Sequence, residues 1–163
     1  MTMPKNFKPE MGTGDLGFTD LLGGRRVQKT DRRVKLNALI DELSALLGLA
    51  KTALKSSAGR AGISTAQKGL IRAAGVIAGM KADLAAETAA LEALIEAAAA
   101  GMKPQRKFIV PAKNRPEALL HLARAKTRVC EILAWEIKAE APAVYLNRMS
   151  DYLFLAALKS ARN

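Results

Sequence analysis

Apolar residues along this chain recur with the period of a helix, not of a strand. Leu36, Leu39, Ile40, Leu43, Leu46, Leu47, Ala50 and Leu54 fall on one helical face, starting after Asp31, a plausible cap. Ser56-Ser57-Ala58-Gly59 interrupts the pattern. Ser64 or Thr65 is then a candidate cap for a second helix carrying Leu70, Ile71, Ala74, Ile77, Ala78 and Leu84. Neither a proline nor a glycine pair separates that stripe from Leu91, Leu94 and Ile95. The pattern therefore predicts a long helix, or two closely joined ones, ending near Gly101. Pro104 to Asn114 reads as a basic loop containing Phe108. Asn114 can cap the next helix, with Pro116 in its first turn and its end near Lys138, and Pro142 opens a last helix reaching about Arg162. Residues 1–30 hold Pro4, Pro9 and several glycines and read as extended and irregular. The expected architecture is all-α, one domain: an up-and-down bundle of four to five helices over 31–163, preceded by the irregular segment over 1–30.

Composition supports this and narrows the partners. The chain has 163 residues, enough for one domain with a modest core. Half is hydrophobic but only 4% aromatic, so alanine and leucine dominate and favour helix. A formal charge of +11 calls for an anionic partner: nucleic acid, membrane or polyphosphate. Few aromatics interleave with the basic residues, which argues against base stacking, and no apolar stretch reaches membrane-span length. Neither nucleic acid nor membrane is therefore expected as a partner. Cys130 is the only cysteine and His121 the only histidine, which excludes an intrachain disulfide, a cysteine metal cluster and a multi-histidine site. Met1 to Glu10 lacks an apolar signal core, so a cytoplasmic setting is expected.

The chemistry concentrates first in Gly12-Thr13-Gly14-Asp15-Leu16-Gly17-Phe18-Thr19, followed by Gly23-Gly24-Arg25-Arg26-Val27-Gln28-Lys29. Glycines let backbone N–H groups approach an anion, Thr13 and Thr19 add hydroxyls, and Lys29 adds a mobile point charge. The spacing is not that of a P-loop, and no strand–turn–helix unit surrounds it. Two readings stand: a polyphosphate loop on the rim of a bundle, or a turn-rich leader. On the helix after Pro116, about 100° per residue places His121, Arg124, Arg128, Glu131 and Trp135 on one side. Leu119, Leu122, Cys130, Leu133 and Ile137 lie opposite, as expected core. The bland alternatives are a solvated face with a weak Arg128–Glu131 pair, Asp41 as a surface charge facing a base one turn away, Asn147 bonded to a helix terminus, and Phe108 as a core anchor for its loop. No Ser/His/Asp or paired-carboxylate arrangement is present.

Several motifs together resemble the PduO-type ATP:cob(I)alamin adenosyltransferases. They are Gly14-Asp15-Leu16-Gly17-Phe18-Thr19, the run from Gly24 to Val34, Asp41-Glu42-Leu43, Leu47-Gly48-Leu49-Ala50, Phe108-Ile109-Val110-Pro111, His121-Leu122-Ala123-Arg124 and the run from Tyr145 to Phe154. They keep one order and span nearly the whole chain. The resemblance implies transfer of the 5′-deoxyadenosyl group of ATP to cob(I)alamin with release of triphosphate. It implies a homotrimer with sites between subunits, Mg2+ accompanying ATP and held mainly by its phosphates, and a reductase as electron donor. It assigns Gly12, Thr13, Gly14, Thr19, Lys29, Arg128, Glu131 and Asn147 to ATP. Arg128 and Phe108 carry catalysis, Phe108 lying beneath the corrin ring and keeping the lower ligand off cobalt. Asp41 and Arg124 form an ion pair across the subunit interface. The chain departs from the family at Met11 and Gly12, where a hydroxyl and a basic residue are usual, at Val129 and Ile132, where arginines are usual, and at Ala38, Ala112 and Lys113, where glycines are usual. A non-catalytic paralogue holding ATP or a corrinoid is the first alternative reading, and a basic helical nucleic-acid-binding protein, supported only by net charge, is the second.

Overall fold

The helical periodicity becomes five helices in a computed structural model that describes residues 11–103, 108–111 and 113–162. Residues 1–10 and the stretch 104–107 with Ala112, which belong to the expected irregular segment and basic loop, lie outside the described residues, as does Asn163. The helices are α1 (Arg32–Ala53), α2 (Ser57–Ile77), α3 (Ala85–Ala99), α4 (Arg115–Glu136) and α5 (Glu140–Ser160).

Local chemistry explains the ends. Asp31 caps α1: its Oδ1 accepts from the Arg33 backbone N–H at 2.8 Å. The Arg33 guanidinium also donates to both carboxylate oxygens. The side-chain hydrogen bonds, then the backbone one, hold the Asp31 pKa at about 2. A depressed folded pKa contributes stability that is complete above the unfolded value of about 3.9 and is lost as pH falls through about 2. The difference in urea midpoint between the parent chain and Asp31→Ala is therefore expected to shrink between pH 5 and pH 2. A gap that stays constant over that range contradicts this role.

The cap of α2 is Ser56, whose Oγ accepts from Gly59 N at 3.2 Å. The expected cap at Ser64 or Thr65 is therefore eight or nine residues too late. Ser64 sits inside the helix and its hydroxyl donates to the Arg60 carbonyl at 3.0 Å. The serines read as a breaker are the cap. The α2 backbone stops at Ile77 and Gly79 takes φ +109°, so residues 78–84 separate two helices. Asn114 caps α4 as expected, accepting from Glu117 N at 2.9 Å, with Pro116 in the first turn.

Residues 18–28 correct the expectation of an irregular leader. β1 (Phe18–Asp20) pairs antiparallel with β2 (Arg26–Gln28), and Thr19 faces Val27. Gly23 and Gly24, both at positive φ, turn the ribbon, while Leu21 and Val27 are buried. Six residues of strand are too short for periodicity to reveal.

The helices form a ring in the order α1–α2–α3–α5–α4, with α4 closing on α1. Side-chain pairs set their directions. Lys126 on α4 meets Glu42 on α1 at 2.5 Å and Arg32 meets Glu136 at 4.0 Å, so α1 and α4 run antiparallel. Asn114 Nδ2 donates to the Ser160 carbonyl at 2.6 Å, so α4 and α5 are also antiparallel. The hairpin therefore lies at one end of the bundle, where Leu22 N donates to the Ala78 carbonyl at 3.1 Å. The connection carrying Phe108 lies at the other. The core includes Leu36, Leu43, Leu47, Leu70, Leu120 and Leu153, all fully buried. The α1 stripe matches expectation; the α4 stripe does not. Leu122, expected in the core, is exposed, and His121, expected on the polar side, is buried. Because α4 packs against both α1 and α5, its buried arc takes in Leu120, His121, Ala123, Thr127, Cys130 and Ala134. Among the described residues no helix is long and apolar enough to cross a membrane.

Candidate functional site

The glycine segment folds as two consecutive turns, as the turn-rich reading expects. Asp15 N donates to the Gly12 carbonyl and Gly17 N to the Gly14 carbonyl, both at 3.1 Å, with Gly12 and Gly17 at positive φ. Lys29 N donates to the Gly17 carbonyl at 2.8 Å, and Arg26 Nη2 donates to the Thr13 carbonyl at 3.2 Å. These bonds tie the loop to β2 and the residue after it. They also carry the Lys29 ammonium onto Gly14: a Cβ there would stand 2.7 Å from Nζ and 3.0 Å from Cε. Gly14→Ala is thus expected to push the ammonium off the loop. The expected outcome is a Kd for inorganic tripolyphosphate raised about tenfold, the effect of one lost charge-assisted contact, with an unchanged melting midpoint. An unaltered Kd separates Lys29 from the anion.

Further along the bundle, α4 and α5 place polar groups together. Asn147 Nδ2 donates to Glu131 Oε1 at 3.1 Å, so Asn147 bonds a side chain across two helices and not a helix terminus. Glu131 uses that partner; the expected surface pair with Arg128 does not form. Arg128 is exposed and makes no ion pair among the described residues. One turn away, the Arg124 guanidinium carbon lies 5.9 Å from the Phe154 ring centroid, and its Nε is buried without a hydrogen-bond partner. His121 Nε2 stands 3.5 Å from Glu117 Oε1, both nearly enclosed. Burial lowers the His121 pKa, the neighbouring Glu117 opposes that, and Arg124 adds to it. Burial pushes the Cys130 thiol up to about 11, which removes it as a nucleophile.

Asp41 and Thr19 share a cleft of about 530 Å³ between the hairpin, α1 and α2. Asn37 lines it too, and its Oδ1 is buried with no hydrogen-bond partner. Asp41 makes no ion pair among the described residues, so neither the base one turn away nor Arg124 of the same chain meets it. Along the bundle axis the groups succeed one another. The glycine loop is at one end, then come Asn147 and Glu131, then Arg128, and Arg124 about 6 Å beyond Arg128. Phe108 is at the far end, since α4 alone spans about 33 Å. It is fully exposed, so it does not anchor its loop in the core. Among the described residues Arg128 makes no hydrogen bond or ion pair with the glycine loop of its own chain. Among the described residues no three His, Cys, Asp or Glu side chains are grouped to hold a metal ion. Sequence reasoning missed Phe154, although it lies two turns from Asn147 on one face of α5. It also missed Arg148 and Glu92, which only packing joins.

Cations and a side-chain amide spaced along α4 and α5 suit the binding of an anionic ligand. The chain matches the cobalamin adenosyltransferase family over residues 10–160 and belongs to it. A corrinoid adenosyltransferase of Bacillus subtilis (strain 168) is 36% identical over 159 residues, covering 89% of this chain and 82% of that protein. One of Citrobacter freundii is 33% identical over 159 residues, covering 89% and 90%. The corrinoid adenosyltransferase PduO of the same organism is 34% identical over 158 residues, but the chain spans only 47% of its length. In three dimensions the chain is similar to a variant PduO-type ATP:corrinoid adenosyltransferase from Lactobacillus reuteri, complexed with cobalamin and ATP. The TM-score is 0.85 at 25% identity, covering 95% of this chain and 91% of that one.

Proposed function

We propose that this chain transfers the 5′-deoxyadenosyl group of ATP to cob(I)alamin and releases triphosphate, in a site assembled between subunits of a homotrimer. The observation that carries the reading is the axial order of the groups. Anion-binding backbone and Lys29 come first, then the Asn147–Glu131 pair, then the free Arg128 guanidinium, and an exposed apolar ring at the far end. With the loop supplied by a neighbouring subunit of the same orientation, that order suits a nucleotide whose phosphates rest on the loop and whose 5′ carbon points along the bundle.

The subunit arrangement has physical support. Leu122, Val129, Ile132 and Trp135 form an exposed apolar strip on α4, each 46–56% accessible. Such a strip beside cations fits another copy better than water. The neighbour's glycine loop would then reach Arg128, and Asp41 in its cleft would pair with Arg124 of the adjacent subunit. A desolvated pair of this kind sets register more than it adds stability.

In the reaction, the substrate Co(I) attacks the 5′ carbon, a cobalt–carbon bond forms, and the carbon–oxygen bond to triphosphate breaks. Cobalt supplies the nucleophile, so the protein needs no general base. Its work is alignment and neutralisation of the leaving charge by Lys29, Arg128 and loop N–H groups. Mg2+ travels with the phosphates, and an external reductase delivers Co(I). Phe108 offers an apolar surface beneath the corrin, from which the lower ligand is excluded. Val129 and Ile132, which replace arginines usual in the family, face outward, so this chain brings less positive charge to the same groove.

Anaerobic reduction of cobalamin, addition of ATP with Mg2+, and spectral detection of adenosylcobalamin test the proposal. Conversion by the trimeric fraction is expected. Tight ATP binding without conversion would make the chain a carrier or sensor instead.

A further inference from the structure

A line of side-chain hydrogen bonds crosses three helices. Glu131 on α4 accepts from Asn147 Nδ2 at 3.1 Å, Arg148 Nη1 donates to Asn147 Oδ1 at 2.9 Å, and Arg148 Nε donates to Glu92 Oε1 on α3 at 3.0 Å. Asn147 and Arg148 are consecutive on α5, where side chains normally diverge by about 100°. Arg148 nevertheless reaches back to its neighbour while Glu92 holds its other edge.

We propose that Arg148, braced by Glu92, is a positioning residue that locks the Asn147 amide so that it offers the nucleotide an N–H donor. This rests on the adenosyltransferase reading above. A lone asparagine amide presents either edge at little cost. Here a half-turn of the amide would set NH2 against a guanidinium and the carbonyl against a carboxylate, two mismatches at once. The carbonyl is engaged by Arg148 and one amide hydrogen by Glu131. The second amide hydrogen remains, so the group recognises an acceptor, such as a nucleotide oxygen or ring nitrogen. The Arg148–Glu92 pair is itself partly solvated, with side chains 39% and 49% accessible. Such pairs add little to folding stability, so the arrangement acts on orientation.

The test is a double-mutant cycle on the trimeric protein with Asn147→Ala, Arg148→Met and both together. ATP binding is followed by calorimetry and turnover by the cobalamin assay. Each single substitution is expected to raise Kd and KM for ATP about tenfold, leaving KM for cobalamin and the melting midpoint in place. The double variant should bind ATP no worse than Asn147→Ala alone, and Glu92→Gln should fall between parent and Arg148→Met. Multiplying losses, or an Arg148→Met protein with parental ATP affinity, would overturn the proposal. A second readout does not need ATP. The Asn147 side-chain amide resonances of the ligand-free protein should move on Arg148→Met, and unmoved resonances count equally against it. If the parent protein neither binds ATP nor turns over while those resonances respond, the functional reading fails and the positioning contact stands.

Discussion

Replacing Arg128 by methionine is expected to lower kcat/KM for cob(I)alamin adenosylation about 10²- to 10³-fold, the usual cost of removing one preorganised donor from developing negative charge. The structure separates this from a folding defect. Arg128 is exposed and pairs with nothing among the described residues, so its removal breaks no internal contact. The melting midpoint should stay within a degree or two of the parent, as for surface substitutions away from such features. Lysine at 128 should recover only part of the loss, since it keeps the charge without the planar fork that grips phosphate oxygens. Val129 and Ile132 beside it carry no charge, so few cations share the load on this stretch of α4, and the dependence on Arg128 should be steep. Steady-state kinetics with ATP varied at saturating cobalamin decides it. A variant with parental kcat/KM would remove Arg128 from the reaction.

The largest expected effect on stability comes from Gly69→Ala. Alanine normally favours a helix over glycine by about 1 kcal/mol. At position 69, however, a Cβ would stand 2.6 Å from Tyr145 Cζ and 2.8 Å from Cε2. Tyr145 is completely buried and donates its hydroxyl to the Ala66 carbonyl at 2.7 Å, so it has nowhere to retreat. Burial also pushes its phenol pKa well above the usual range, so it stays neutral there. Overpacking of this kind, together with the strained hydrogen bond, outweighs the propensity gain, and a net loss of about 3 kcal/mol is expected. Gly48→Ala is the contrast. Its Cβ would meet only Gln67 Nε2 at 3.7 Å, ordinary contact, so the same substitution there should stabilise by about 0.5–1 kcal/mol. Urea unfolding of the two variants should give midpoints shifted in opposite directions. Shifts of one sign would mean that α2 and α5 do not pack as described.

Tyr145 and Gly69 also show why part of the fold was not legible in advance. Gly69 reads only as a poor helix former, and nothing local says that a tyrosine seventy-six residues later requires the gap. The same holds for Gly62, whose missing side chain makes room for Tyr152. By contrast, Asp31, Asn114 and Pro116 announced helix starts correctly, because a cap is settled within three residues of itself. The stripe Leu36–Ile40–Leu43–Leu47–Ala50 was legible for a related reason: α1 buries one face, and a single buried face prints a clean period. In α4 the buried arc takes in Leu120, His121 and Ala123 within one turn, so the side on which His121 and Leu122 fall is decided by the packing of α1 and α5 together.

The site divides in the same way. Gly12, Gly14, Thr19 and Lys29 could be singled out as candidates from residue chemistry, because anion-binding groups keep their character wherever the chain puts them, whereas Arg128 stood out only through the family resemblance. Which groups meet could not. The bond between Asn147 and Glu131, the reach of Arg148 to Glu92, the sharing of one cleft by Thr19 and Asp41, and the separation of Phe108 from the glycine loop all follow from helix direction and ring order. Periodicity is a property of neighbours along the chain and survives in any packing. Ring order is chosen by the summed burial of five faces at once, a quantity that no single segment carries.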